Sequence, residues 1–141
     1  MLANGTNPPR IMKYLGDCFD SLNELIFVKN EDGTDNIKLA NEMIAKDGER
    51  CMLVEEFALE GEVERYLTGL TENMRMTLRD RMKNGYDSAA TWDQDNPREM
   101  WLSDIAAQVV VTSTQMYWTE ESELALDDLS GGQEDAVKKY Y

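Results

Sequence analysis

The chain has 141 residues, 42% of them hydrophobic and 30% charged, and its 28 acidic residues against 14 basic ones give a formal net charge of −14. This composition predicts a single folded domain, and the negative charge argues against nucleic acid and anionic membranes as partners. Histidine is absent and the two cysteines, Cys18 and Cys51, lack CxxC spacing, which excludes histidine catalysis, a cysteine–histidine zinc site and a disulfide framework. Without a long apolar run or a signal-like N-terminus, we expect an intracellular chain.

The first predicted element is an amphipathic helix at residues 8–22. Asn7, Pro8 and Pro9 provide a cap followed by proline at the first helical position. Apolar residues then recur at spacings of three and four, namely Ile11, Tyr14, Leu15, Cys18, Phe19 and Leu22.

Between residues 24 and 54 the pattern changes to short strands. ELIFVK, IKLANEMI and RCMLV are rich in apolar residues and are separated by the turn sequences NEDGTDN and KDGE. Two or three short strands fit, and we predict a small antiparallel β-hairpin over about residues 24–54. NEDGTDN lacks the glycine and glutamate positions of an EF-hand, so we interpret it as a solvated turn and predict no metal site.

A long helix is predicted at residues 62–83. Its apolar stripe consists of Val63, Tyr66, Leu67, Leu70, Met74, Leu78 and Met82. We expect Asn84 and Gly85 to end this helix, because glycine readily takes the left-handed C-cap conformation. Leu70 and Met74 are expected to pack against the helix that begins near Ile105.

Helices are also predicted at residues 97–129, after the start signal Asn96 and Pro97. QVVVTSTQMYW is dense in β-branched residues and would be a strand by propensity alone. Its apolar positions follow a helical period, however, and VVV breaks strand alternation, so periodicity favours a helix. A further helix is predicted to begin within residues 133–141.

The pentapeptide LSGGQ, Leu129 to Gln133, matches the signature loop of ATP-binding-cassette proteins. That loop works beside a GxxxxGK loop and a metal-binding acid, and neither motif occurs in this sequence. We therefore interpret LSGGQ as a helix end followed by a new helix start, and nucleotide binding remains the alternative. We predict no catalytic, cofactor-binding or metal-binding residue, and no cofactor.

The methionines and tryptophans are interpreted as packing residues, in preference to a binding groove or a ligand box. The predicted structural core comprises Leu15, Phe19, Tyr66, Leu67, Leu70, Met74, Leu78, Trp101, Val109, Met116 and Trp118.

Four blocks of this sequence resemble, in order and spacing, the linker region of dynein heavy chains. They are GTNPPRIMKYLGDCFDSLNELIF, EMIAKDGERCMLVEEF, GEVERYLTGLTENMRMTLR and REMWLSDIAAQVVVTSTQMYWTEESELAL. They are similar to that family's GxNP before a helix ending in CFD, its MxSxxGExV hairpin, its VExWLxxVxxxMxxxL helix and its WxLxxPAQVxLxxxQxxWT segment. Tyr66 stands where the family usually has tryptophan, and Ala106 where it commonly has proline. The tail ELALDDLSGGQEDAVKKYY resembles the axonemal branch.

The resemblance implies a mainly α, helical bundle-like fragment from the C-terminal part of the linker, preceding the first AAA+ module. Its implied role is non-catalytic and mechanical: it transmits ATP-driven changes in the AAA+ ring of a motor ATPase into microtubule-based movement. Implied partners are neighbouring linker helices, the AAA+ ring and dynein complex subunits, without direct microtubule contact. The implied location is the cytoplasm and cytoskeleton, in the axoneme of a cilium or flagellum. The alternative function is an autonomous acidic helical adaptor that binds a partner protein.

Overall fold

The structure is a computed structural model that describes residues 8–91 and 98–140. In chain order its elements are α1 (Pro8–Met12), α2 (Leu15–Cys18), β1 (Leu22–Lys29), β2 (Asp35–Ala45), β3 (Arg50–Ala58), α3 (Val63–Ala89), α4 (Arg98–Asp104), α5 (Ala107–Ser130) and α6 (Ala136–Tyr140). The predicted start signals at Asn7 and at Asn96 and Pro97, and the side chain of Trp92, lie outside the described residues.

The prediction of a mainly α, bundle-like fold with a small hairpin is wrong. Helix makes up 55% of the structure, and it is combined with a three-stranded antiparallel sheet in the order β1-β2-β3. The prediction also underestimated the structural role of the sheet, because the sheet supplies buried residues to the apolar core. Leu25 of β1, Met43 of β2 and Leu53 of β3 are all buried in the same apolar cluster.

The two turns of the sheet fall where the sequence places them. Gly33 and Gly48 have φ angles of 82° and 90°, a left-handed conformation that glycine adopts without steric cost. Each turn carries an aspartate side chain that accepts a backbone N–H two residues on, Asp32 from Thr34 and Asp47 from Glu49. These local bonds fix the connections between the strands.

The predicted helix at residues 8–22 is divided in the structure. α2 ends at Cys18, Phe19 is extended with φ −129° and ψ 125°, and Leu22 is the first residue of β1. Leu22 is nevertheless buried. Its spacing from Leu15 fits a helical stripe, but it reaches the core from a strand.

The chain forms two compact units, the first ending at Asp80 and the second beginning at Arg81. In the first unit, buried residues from α1, α2, the sheet and α3 form one cluster, which includes Ile11, Leu15, Leu25, Met43 and Leu70. In the second unit the buried apolar residues are Ala89, Trp101, Val109, Ala125 and Ala136.

α3 continues to Ala89, beyond the predicted end at residue 83. Gly85 lies inside the helix and is buried. A Cβ at this position would come within 2.5 Å of Val109 Cγ1. The glycine therefore permits a close approach of α5 and does not end the helix.

The segment QVVVTSTQMYW lies within α5, so the preference for helical periodicity over strand propensity is confirmed. The predicted helical region 97–129 is interrupted between α4 and α5, where Ala106 has φ −51° and ψ 133°. This is the position at which the resembled family commonly has proline. Across the described ranges, no helix combines the length and apolar character needed to span a membrane.

Candidate functional site

The packing of α3 in the first unit begins with an apolar face. Val63, Tyr66 and Leu70 are buried against the core cluster, with relative exposures of 3%, 3% and 0%. The structure thus places Leu70 in a cluster with residues of the sheet. The sequence had instead led us to expect that Leu70 packs against the helix beginning near Ile105. Gly69 lies beside this face, and a Cβ there would come within 3.2 Å of the Phe57 ring.

Two polar side chains continue the buried face of α3. Thr77 is fully buried, and its hydroxyl accepts a hydrogen bond from the backbone N–H of Val54 at 3.1 Å. Asn73, which is 5% exposed, donates from Nδ2 to the carbonyl oxygen of Glu55 at 3.2 Å. Both bonds attach α3 to the backbone of β3, one of the two edge strands of the sheet.

The attachment falls on an irregular part of β3. Between the pairs Ala40–Phe57 and Glu42–Met52, β2 contributes Asn41 alone whereas β3 contributes residues 53–56. The extra residues of a bulge cannot all pair with the neighbouring strand. Thr77 and Asn73 supply partners to backbone groups in this bulge, which would otherwise depend on solvent.

In the second unit, the end of α3 packs closely on α5. Val109 and Ser113, one turn apart on α5, are 4% and 0% exposed. Both side chains lie within van der Waals reach of the position that a Gly85 Cβ would occupy. Small residues on both helices therefore allow the backbones to approach.

An aromatic pair extends this contact. The rings of Tyr86 and Tyr117 stack with centroids 4.5 Å apart and an interplanar angle of 12°. The Tyr86 hydroxyl donates to Glu120 Oε2 at 2.6 Å, and the Tyr117 hydroxyl donates to the carbonyl oxygen of Tyr86 at 2.9 Å. Two side chains of α5 thus hold both the side chain and the backbone of Tyr86.

These bonds change the acidity of the tyrosines. The hydrogen bond to Glu120, with smaller contributions from burial and nearby negative charge, raises the pKa of Tyr86 to about 12. Burial and the charge of Glu120 also raise the pKa of Tyr117. Both phenols are therefore neutral hydrogen-bond donors at physiological pH.

Trp101 attaches α4 to the same part of α3. Its indole Nε1 donates to the carbonyl oxygen of Gly85 at 3.1 Å and to Ser88 Oγ at 2.9 Å. The side chain is 4% exposed, so a large apolar area is buried together with a satisfied donor.

The predicted core residues fall into three groups in the structure. Leu15, Tyr66, Leu70, Trp101 and Val109 are buried; Phe19, Leu67 and Met74 are partly buried against the first-unit cluster; Leu78, Met116 and Trp118 are 47%, 42% and 58% exposed.

The exposure of Leu78, Met116 and Trp118 can be explained from their positions on the helices. Beside Leu78, the buried face of α3 passes through Thr77. Beside Met116, Tyr117 makes the contact with α3. Trp118 is nine residues from Val109, or about two and a half turns, and so lies on the opposite side of α5.

Sequence reasoning missed the polar and small residues at these contacts, which are Asn73, Thr77, Gly85, Tyr86, Ser113, Tyr117 and Glu120. A signal existed for two of them. The buried positions Val63, Tyr66, Leu70, Asn73 and Thr77 follow a regular spacing of three and four, but a purely apolar criterion leaves out the last two.

LSGGQ forms a helix C-terminus. The N–H groups of Gly132 and Gln133 donate to the carbonyl oxygens of Leu129 and Asp128, each at 3.0 Å, and Gly132 has a φ of 99°. This is the bonding of a Schellman motif. The Ser130 hydroxyl donates to the carbonyl oxygens of Leu126 and Asp127, so its hydrogen bonding lies within α5.

Comparison with known proteins places these features in context. Residues 1–85 match the family model described as dynein heavy chain, N-terminal region 2. The chain is 34% identical over 140 residues to the ciliary dynein beta chain of Heliocidaris crassispina, covering 99% of this chain and 3% of the relative. It is 34% identical over 138 residues to the flagellar outer arm dynein beta chain of Chlamydomonas reinhardtii, covering 98% and 3%. It is also 34% identical over 141 residues to human dynein axonemal heavy chain 9, covering 100% and 3%. The chain thus spans about 3% of the length of these relatives.

Proposed function

Because this chain belongs to the dynein heavy chain family, we propose that it is a non-catalytic mechanical segment of the linker of an axonemal dynein. In this role it transmits ATP-driven changes of the AAA+ ring into movement along microtubules. The proposed location is the ciliary or flagellar axoneme, because similar chains are named as ciliary, flagellar and axonemal dyneins. Its partners are the neighbouring parts of the heavy chain and the subunits of the dynein complex.

The observation that carries this proposal is the way α3 is held. This helix has 27 residues, which corresponds to about 40 Å at 1.5 Å per residue. Buried apolar residues and two side-chain hydrogen bonds fix it to the sheet in the first unit. A tyrosine stack and the Trp101 bonds fix its last turns in the second unit.

Such a helix suits the transmission of force. Rotation or sliding of α3 would break hydrogen bonds to backbone groups and open close-packed contacts, which resist small displacements. The role requires stiffness and no catalytic side chain. The net charge of −14 also disfavours direct contact with the microtubule surface, which is itself acidic.

The test is a heavy chain carrying Leu70→Ala, with Met76→Ala as the matched control. Both residues lie on α3, but Leu70 is fully buried whereas Met76 is 44% exposed. We expect Leu70→Ala to leave basal ATP turnover close to that of the parent and to reduce microtubule gliding speed. The control should change neither rate.

Two outcomes would oppose the proposal. If ATP turnover collapsed while gliding per ATP hydrolysed stayed constant, the segment would support the ATPase site and would not act as a lever. If both rates were unchanged in a chain in which Leu70→Ala measurably loosens the first unit, the alternative of an autonomous adaptor would be favoured.

A further inference from the structure

α3 belongs to both compact units of the chain. The helix runs without interruption from Val63 to Ala89, whereas the boundary between the units falls within it, after Asp80. The first unit therefore contains the longer share of α3, and the second unit contains residues 81–89, or about two and a half turns. One continuous helix is thus a structural part of two separate units.

The buried positions of α3 stop before this boundary and resume after it. Thr77 is the last buried residue of the helix in the first unit, and Gly85 is the next buried residue along it. Leu78 is 47% exposed, Arg79 is exposed, and none of residues 78–84 is buried. Residues 78–84 are called the crossing segment of α3.

The crossing segment depends on helix propagation. A helix inside a protein takes most of its stability from the packing of one face, so a stretch without buried residues relies largely on its backbone bonds and residue propensities. Most residues of the segment are good helix formers, namely Leu78, Arg79, Arg81, Met82 and Lys83. The segment can therefore extend an existing helix at little cost in free energy.

The second unit requires α3 in helical form. Trp101 donates to the carbonyl oxygen of Gly85, and Val109 lies close to the same residue. The ring of Tyr86 stacks on that of Tyr117. The last turns of α3 make these contacts with the spacing that a helix imposes. Unfolding of those turns would remove them.

The share of α3 in the second unit is too short to form a stable helix alone. The first turn of a helix must be nucleated with a statistical weight of roughly 0.001, and isolated helices shorter than about 12–15 residues are marginal in water. Residues 81–89 fall below that length. When the first unit is folded, a helical nucleus is already present, and each further residue only propagates it.

The first unit has a larger core of its own. Its share of α3 belongs to one cluster with buried residues of α1, α2 and all three strands. The buried apolar residues described in the second unit are fewer, and three of them are alanines: Ala89, Trp101, Val109, Ala125 and Ala136. The main source of apolar burial therefore lies on the N-terminal side of the crossing segment.

We propose that α3 is a folding template, through which the folded first unit nucleates the helix on which the second unit assembles. Order in the second unit is conditional on order in the first, and the crossing segment sets how strongly the two are coupled. A change that loosens the sheet reaches α4 and α5 through this helix. The coupling is a property of the chain itself and does not rest on the proposed mechanical role.

Unfolding variants of the 141-residue chain test the direction of this dependence. Leu25→Asp with Leu53→Asp places charges in the buried cluster of the first unit, and Trp101→Ala with Val109→Asp disrupts the second. Two-dimensional NMR reports both units. The first pair should abolish the dispersed amide signals of both units, and the second pair those of the second unit only. A second unit that stays folded without the first, or a first unit that unfolds with the second, would overturn the template.

A further pair of variants tests the crossing segment in a folded chain. Leu78→Gly with Arg79→Gly changes two residues of the first unit, and Leu78→Ala with Arg79→Ala is the matched control for loss of the side chains. Each glycine weakens helix propagation about fivefold relative to alanine. Amide signals in urea should show a ratio of unfolded to folded second unit about twentyfold higher in the glycine pair than in the alanine pair. The midpoint of the first unit should be equal in both, because the segment is no longer helical once the second unit has unfolded.

A control pair locates the effect within α3. Glu72→Gly with Arg75→Gly makes the same backbone change beside the packed part of the helix, and it removes both members of an exposed ion pair. It should lower the midpoint of the first unit and leave the second unit unchanged wherever the first is folded. Equal ratios for the glycine and alanine pairs at positions 78 and 79, or an equal rise from the pair at 72 and 75, would contradict the template. Neither result would alter the outcome of the gliding test.

Discussion

At the scale of single residues, Tyr66 has a polar atom without an evident role. The residue is 3% exposed, and its hydroxyl has no hydrogen-bond partner within the described part of the chain. Burial, with a smaller contribution from the charge of Glu64, raises the pKa of this phenol. An unpaired buried hydroxyl opposes folding, because it loses its bonds to water without replacement.

We therefore expect Tyr66→Phe to leave the free energy of unfolding unchanged or to raise it by up to about 1 kcal/mol. Urea unfolding measures this as a shift in midpoint at constant slope. Tyr66→Ala is the control, and it should cost about 3–5 kcal/mol because it removes the ring as well. A loss of more than about 1 kcal/mol in Tyr66→Phe would mean that the hydroxyl has a stabilising partner.

Tyr86 predicts a stability change at alkaline pH. Its pKa rises from 10 in the unfolded chain to about 12 in the folded one, so folding favours the protonated phenol. This contribution is complete below pH 10 and is lost as the pH rises towards 12. The urea midpoint of the parent should therefore fall across this window, and Tyr86→Phe should reduce that fall. An identical fall in parent and Tyr86→Phe would contradict the assigned bond to Glu120.

At the scale of elements, the hydrogen bonds from α3 to the β3 bulge form a testable unit. Thr77→Val keeps the shape of the side chain but removes the acceptor for Val54, and we expect it to cost about 1–3 kcal/mol. Thr77→Ser keeps the hydroxyl and should cost less, near the roughly 0.8 kcal/mol of one buried carbon. Amide exchange at Val54 should accelerate in the valine variant only. Greater damage from serine would mean that packing, and not the hydrogen bond, holds this position.

The contact between α3 and α5 allows a test by reversal of sign. Gly85→Ala improves helix propensity by about 1 kcal/mol, but its Cβ would lie 2.5 Å from Val109 Cγ1. Overpacking of this kind costs about 1–3 kcal/mol, so we expect net destabilisation. In a Val109→Ala background the clash is absent, and the same substitution should become stabilising. A double-mutant cycle in thermal or urea unfolding measures this coupling, and additive effects would contradict the close contact.

How well each element could be predicted depended on the kind of sequence signal that marks it. The strands could be recognised because their turns carry glycine and aspartate, and α5 because its apolar period outweighs its β-branched composition. The buried face of α3 could be followed through Val63, Tyr66 and Leu70. Beyond Leu70, the apolar pattern predicts that Met74 and Leu78 continue the buried face, whereas the structure buries Asn73 and Thr77. That choice depends on a bulge in β3, and no local pattern in α3 reports it.

The contacts in the second unit were harder to predict from the sequence, for a related reason. Gly85 was interpreted as a helix end because glycine commonly serves there. Its actual role depends on Val109, which lies far away in sequence. Tyr86, Tyr117 and Glu120 likewise become meaningful only once α3 and α5 are adjacent, since each is unremarkable within its own helix.

At the scale of the whole molecule, stability reflects a balance between local ion pairs and a net charge of −14. The ion pairs Lys29–Asp35, Arg75–Glu72 and Lys138–Asp135 join exposed side chains, and in Arg50–Glu42 only the glutamate is largely buried. Exposed pairs contribute only about 0–1 kcal/mol each and are screened by salt. Repulsion among the excess acidic groups acts over longer distances and is screened as well.

These two terms predict opposite responses to salt, and the excess of acidic groups should decide the result. Raising the ionic strength from about 0.01 M to about 0.15 M shortens the Debye length from roughly 30 Å to roughly 8 Å, so we expect the urea midpoint to rise. A variant carrying Glu121→Gln, Glu123→Gln and Asp127→Asn removes three of the acidic charges of α5 and should respond less steeply to salt. A midpoint that falls with added salt would mean that the ion pairs outweigh the net repulsion.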